Sequence, residues 1–229
     1  LNYTYDRSYG YFMTEDSDPY CLSSASAAGL LADAPWRRFA SFGDSLAAGT
    51  SGPSAGYASL GWPERLADVL RRVYPDLAFL NAGKIGATTG ETLERFGRIV
   101  EFTPDLLHIS CGANDIWRSE PSFALLASNL REIFTRAAAT GARLTTFTLG
   151  KAFVVPGIPD WTARVQALND IIRSTAAEHH AVVVDMWSHS INSRPDLLSA
   201  DGIHFSASGQ AVMASELVKA LARLVAVRA

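Results

Sequence analysis

At 229 residues and 48% hydrophobic composition, the chain is long enough for one well-buried domain with about 30 to 40 residues left over as an appendage. A formal net charge of -3 supplies no basic stripe for nucleic acid or anionic lipid, and no stretch approaches the ~18 to 20 apolar residues of a membrane span. Cys21 and Cys111 are too few and too far apart for a disulfide framework or a zinc site, and Cys111, following an apolar run, reads as an inert buried thiol.

Residues 1–35 differ from the rest. Tyr3, Tyr5, Tyr9, Tyr11 and Tyr20 lie there among Asp6, Glu15, Asp16 and Asp18. This composition reads as a Tyr-rich arm outside the core, either packed on the surface, frayed, docking a second copy or covering a pocket. Monomer and homodimer both stay open. Met13 is a candidate natural start, and the first residues lack a basic region followed by an apolar one, so cytoplasmic residence is expected unless a leader has been removed. Ser23 opens a short helix over 23–34 that Pro35 closes.

Residues 36–229 form the expected catalytic domain. Short apolar runs at 38–42, 77–81, 106–110, 144–149 and 181–185 lack strict alternation, as strands covered on both faces do. Between them Pro63 opens a helix with Leu66, Val69, Leu70 and Val73 on one stripe. Further helices are expected at 90–100, 122–139, 161–177 and 207–227. Strands alternating with helices predict right-handed crossovers and an α/β, doubly wound parallel sheet, with ligands beyond the carboxyl ends of the strands.

Four motifs fall near those ends: Phe42-Gly43-Asp44-Ser45-Leu46, the stretch 81–89 around Gly86, Gly112-Ala113-Asn114-Asp115, and Asp201-Gly202-Ile203-His204. Ser45 is a nucleophile candidate, and a serine hydroxyl needs a neighbouring base. Ala47 stands where a G-x-S-x-G elbow needs glycine, and the site follows the first strand, which argues against the α/β-hydrolase arrangement. Asp201 and His204, three residues apart on one loop, suit a carboxylate that holds Nδ1-H while Nε2 faces the nucleophile. His189, four residues after Asp185, is the competing base. His108 sits inside an apolar strand as a satisfied core histidine, and His179 and His180 close a helix, so no metal is expected. The Ser45 N-H, the Gly86 N-H and the Asn114 amide are oxyanion donors, with Gly83 the rival of Gly86. Glycines 83, 86 and 90 fit no nucleotide-binding spacing.

With these residues in place, the chain over 38–224 resembles the SGNH hydrolases, the GDSL esterase and lipase family, whose four motifs match in order. The resemblance implies a three-layer α/β/α sandwich on a five-stranded parallel sheet, flavodoxin-like in its winding. It implies Ser45 as nucleophile, His204 and Asp201 as base and acid, and Gly86 and Asn114 in the oxyanion hole. It also implies a cofactor-independent serine esterase acting on a small-molecule ester. Acyl transfer from the same acyl-enzyme is the first alternative, and a non-catalytic binding module on the same fold is the second. Family members act on carboxylic esters, thioesters and acetylated sugars, a range the motifs do not encode. Trp117 within 116–122, and Phe153, Val154, Val155 and Ile158 within 151–161, suggest an apolar pocket, although each also suits plain packing.

Overall fold

The computed structural model describes residues 13–226. Along β1 (Arg38–Gly43), Phe39 packs into one apolar layer, while Ala40 and Phe42 pack into the layer on the opposite face. Along β3 (Leu106–Ser110), Leu106 joins the first layer and Leu107 and Ile109 the second. Both faces of the sheet are therefore dry, and this is why the strands read as continuous apolar runs. With β2 (Ala78–Gly83), β4 (Arg143–Phe147) and β5 (Val182–Val184) they make one five-stranded sheet, every pair parallel, in the order β2-β1-β3-β4-β5. The winding direction reverses between β1 and β3, so the ligand crevice of an open α/β sheet falls beyond their carboxyl ends.

Helices cover both faces. α1 (Ser24–Leu30), α3 (Trp62–Val73) and α9 (Ala207–Ala226) pack together against one layer. α4 (Thr89–Glu94), α5 (Gly97–Phe102), α7 (Phe123–Ala139) and α8 (Trp161–Glu178) cover the other. Two one-turn helices, α2 (Ser45–Ala48) and α6 (Ala113–Ile116), follow β1 and β3 directly. Among the described residues no helix is long and apolar enough to cross a membrane.

The single helix expected over 90–100 is two helices. Thr88 and Glu91 form a reciprocal capping box that starts α4. After one and a half turns the chain bends inward at Arg95, whose guanidinium donates to Ala82 O (3.0 Å) and Gly43 O (2.8 Å) at the sheet's carboxyl edge. Apolar residues on both sides of the bend hide it from a periodicity reading. α1 also stops earlier than expected, at Leu30 rather than near Pro35, because Leu31 and Ala34 turn into the core.

Residues 13–35 are built into the domain instead of standing off it as an arm. Ala27, Leu31 and Ala34 belong to the core, and Tyr20, Cys21 and Leu22 pack on its margin. Glu15 pairs with Arg65 of α3, and Leu22 N-H donates to Ser215 Oγ of α9 at 2.9 Å. Small and polar residues made this segment look peripheral, but its alanines fit the narrow space between α3 and α9. Tyr3, Tyr5, Tyr9 and Tyr11 lie outside the described residues.

Candidate active site

Asp44 ends β1 and caps α2, accepting the Leu46 N-H on Oδ1 at 2.9 Å. Ser45 is thereby the first residue of α2, and its own N-H belongs to the first turn, whose amides have no intrahelical acceptor. Asp44 is fully buried, and its Oδ2 makes no hydrogen bond among the described residues. Burial pushes this carboxyl up to about 7, against the opposing pull of the Leu46, Ala113 and Gly112 N-H groups.

Beyond β2, a turn closed by Ala87 N-H to Lys84 O (3.1 Å) places Gly86 at φ 78°, where an L side chain is strained. Gly83 has a different reason to be glycine: a Cβ there would lie 2.2 Å from the Ala48 nitrogen, so it lets β2 approach α2. Gly86 faces open space and lines a cleft that Gly83 does not line.

Beyond β3, Asn114 Nδ2 donates to Ala87 O at 3.0 Å. Asp115 accepts from Thr89 N-H (2.9 Å) and Thr89 Oγ-H (2.6 Å) at the start of α4. The segments holding Gly86 and Asn114 are thus cross-linked three times. Because Asn114 Nδ2 carries two hydrogens, the bond to Ala87 leaves the second free.

The fourth segment has no strand beneath it. Asp201 Oδ2 accepts from His204 Nδ1 at 2.7 Å, while Oδ1 takes Ser199 Oγ-H (2.7 Å), Ile203 N-H (2.9 Å) and His204 N-H (3.0 Å). Desolvation is the largest single influence on this carboxyl and raises it, but the His204, Ile203 and Ser199 donors together outweigh it and hold it well below the usual range. The imidazole is fixed in the tautomer that leaves Nε2 as acceptor.

Ser45, Gly86, Asn114 and His204 all line one cleft of about 530 Å³. Trp117 and Phe153, the expected pocket residues, line it too. Val155 and Ile158 do not: they pack into the core layer beside α8, and Val154 points away as an exposed side chain. Five further apolar residues line the cleft: Leu46 beside Ser45, Ile85 on the Gly86 turn, Ala113 beside Asn114, Ile203 between Asp201 and His204, and Trp161, which meets Trp117 edge to face at 5.5 Å. Ile85 was legible as the apolar residue preceding the turn glycine; Trp161 reads from sequence only as the first residue of a helix.

The rival residues lie elsewhere. His189 accepts Ile191 N-H on Nδ1 and places Nε2 3.5 Å from Glu216, away from the cleft. His108 bonds Thr145 Oγ (2.9 Å) and Ser110 Oγ (2.7 Å), and burial drives its imidazole down to about 3, so it is a neutral core histidine. Burial raises the Cys111 thiol well above its ordinary value and Cys21 to about 12. Among the described residues, no group of three or more His, Cys, Asp or Glu side chains is placed to hold a metal ion.

The model of the GDSL-like lipase/acylhydrolase family matches residues 41–212. An arylesterase of Vibrio mimicus is 30% identical over 208 residues, covering 88% of this chain and 95% of its own. Among solved structures, the α/β hydrolase LAE5 from the metagenome of Lake Arreo superposes with a TM-score of 0.65 at 23% identity, covering 81% of this chain and 94% of its own. The psychrotrophic esterase EstA from Pseudoalteromonas sp. gives 0.64 at 20% identity, covering 83% and 99%. These two likenesses establish the fold.

Proposed function

The chain belongs to the GDSL-like lipase/acylhydrolase family and is an ester hydrolase, and from that premise we propose that it cleaves carboxylic esters through an acyl-enzyme on Ser45. The observation that carries this reading is the Asp201-His204 pair, bonded at 2.7 Å, with His204 lining the same cleft as Ser45.

His204 Nε2 takes the Ser45 hydroxyl proton as Oγ attacks the ester carbonyl carbon. The carbonyl oxygen becomes an oxyanion and accepts from the N-H groups of Ser45 and Gly86 and from the second Nδ2 hydrogen of Asn114. Collapse breaks the bond to the alcohol oxygen, which leaves with the proton from His204. A water then attacks the acyl carbon, gives its proton to His204, and displaces Ser45 Oγ, which regains that proton. Asp201 stays ionised throughout, stabilising the imidazolium in each half.

The wall formed by Ile85, Trp117, Trp161 and Phe153 suits an aryl or alkyl portion of the substrate. The arylesterase relative supports the aryl choice. Ser45→Ala is expected to lower turnover of a short-chain aryl ester by roughly 10⁴-fold or more, with an unchanged circular dichroism spectrum. A fluorophosphonate should label Ser45 in the native chain. Turnover retained in the variant would overturn the assignment.

A further inference from the structure

Asp18 is a charged residue buried without a role in the chemistry above. Its side chain is 0% exposed. It accepts from Arg194 Nη1 (2.7 Å) and Nη2 (2.9 Å), Tyr57 OH (2.9 Å) and the Tyr20 N-H (3.0 Å). Burial alone would raise its carboxyl, but Arg194, Tyr20 and Tyr57 together hold it below the usual range.

The two side-chain donors come from two different segments, each continuous in the chain with one that lines the cleft, although neither donor lines it itself. Tyr57 lies in the loop that joins Ser45's helix, α2, to α3. Arg194 ends the 3₁₀ turn Ser190–Ser193 and opens the segment that carries Asp201 and His204. That segment folds back on itself: Leu198 and Phe205 pair as an antiparallel bridge, Ser199 N-H donates to His204 O (2.8 Å), and Ser206 N-H donates to Leu197 O (2.9 Å). A displacement of Arg194 would therefore be passed to His204 through a few backbone bonds. Asp18 itself lies outside the stretch 41–212 that the family model matches.

We propose that Asp18 is a positioning residue of the active site, joining the loop after the nucleophile to the loop of the base so that His204 is presented to Ser45 at a fixed separation. This inference rests on the reading of His204 as the base. Small misplacements of a catalytic base are costly because the reacting atoms must meet in a narrow geometry.

The test measures kcat per active site, titrated with a fluorophosphonate to completion, well below the melting temperature of each variant. Asp18→Asn keeps the volume and removes the charge; kcat per titrated serine is expected to fall about 10- to 100-fold, with KM changed by less than about twofold. Tyr57→Phe removes one hydroxyl and is expected to cost about threefold in kcat, and it decides the matter alone if Asp18→Asn does not fold. An unchanged kcat per titrated serine in the folded variants, even with a lower melting temperature, reduces Asp18 to a stabilising ion pair and overturns the proposal. His204→Ala is run beside them: activity surviving there refutes the reading of the base itself, whatever Asp18 does.

Discussion

The two walls of the cleft are held in place by different means. Ser45, Gly86 and Asn114 each sit directly beyond a strand, and the register that pairs Gly43 with both Gly83 and Ser110 aligns those strand ends. Their separation is inherited from the parallel ladder, and the Asn114-Ala87 and Asp115-Thr89 bonds tighten it. His204 and Asp201 hang on a loop between β5 and α9 with no strand under them, so their position depends on side chains: four donors on Asp201 and the clamp of Asp18 on Arg194. A sheet supplies positions at no side-chain cost. A loop must fix its own geometry with saturated polar groups.

The comparison predicts that the loop wall fails through single polar contacts. Asp201→Asn keeps the shape but turns the acceptor facing Nδ1 into an ambiguous amide, so His204 loses both its tautomer and the charge that stabilises its protonated form. A fall in kcat of roughly 10³- to 10⁴-fold is expected with the melting temperature nearly unchanged; a fall smaller than His189→Ala produces would assign the wrong base. On the sheet wall, Asn114→Ala should cost roughly 10²- to 10³-fold in kcat. The backbone beneath is held by Asp115 and Thr89, so the Gly86 turn should survive. If Asn114→Ala instead destabilised the protein strongly while kcat per titrated serine held, the Ala87 bond would be its main role and the sheet wall would be no more self-supporting than the loop.

The same contrast governs what could be read from sequence. β3 was legible to the residue, because its composition is set by burial on both faces; Ser45 and Asn114 stood out as polar residues just past predicted strands, and Asp201 and His204 by their spacing on one loop. The resemblance implied only a flavodoxin-like winding, and periodicity could not supply the strand order, since no local pattern records which strand lies beside which. Gly86 could be separated from Gly83 only by geometry: one has a positive φ in open space, the other a neighbour too close for a side chain. Asp18 stayed hidden among the polar residues of what read as an arm, because its partners lie 39 and 176 positions away. Trp161 stood only as the end of the segment 151–161 expected to set selectivity, since a helix-opening aromatic gives no sign of facing a cleft. Long-range polar contacts leave no period in a sequence, and the loop wall is made of them.

The two buried carboxylates sharpen the contrast through pH. Asp44, on the sheet wall, is raised to about 7 by burial. The unfolded chain releases that proton near the ordinary aspartate value, so between about pH 4 and 7 the native state binds more protons than the unfolded state, and stability falls as pH rises through that window. Asp18, beside the loop wall, is lowered, so its contribution is present above the ordinary value and is lost as pH falls through its folded value. Thermal unfolding of the wild type and Asp44→Asn from about pH 4.5 to 7.5 should therefore diverge. The variant is expected to lack a decline of about 3 kcal/mol, whereas a variant at Asp18 should keep that decline and lose pH dependence only at the acid end. Parallel curves for wild type and Asp44→Asn would mean that the Leu46, Gly112 and Ala113 amides keep Asp44 ionised, and that the two walls bury their carboxylates in the same electrostatic manner.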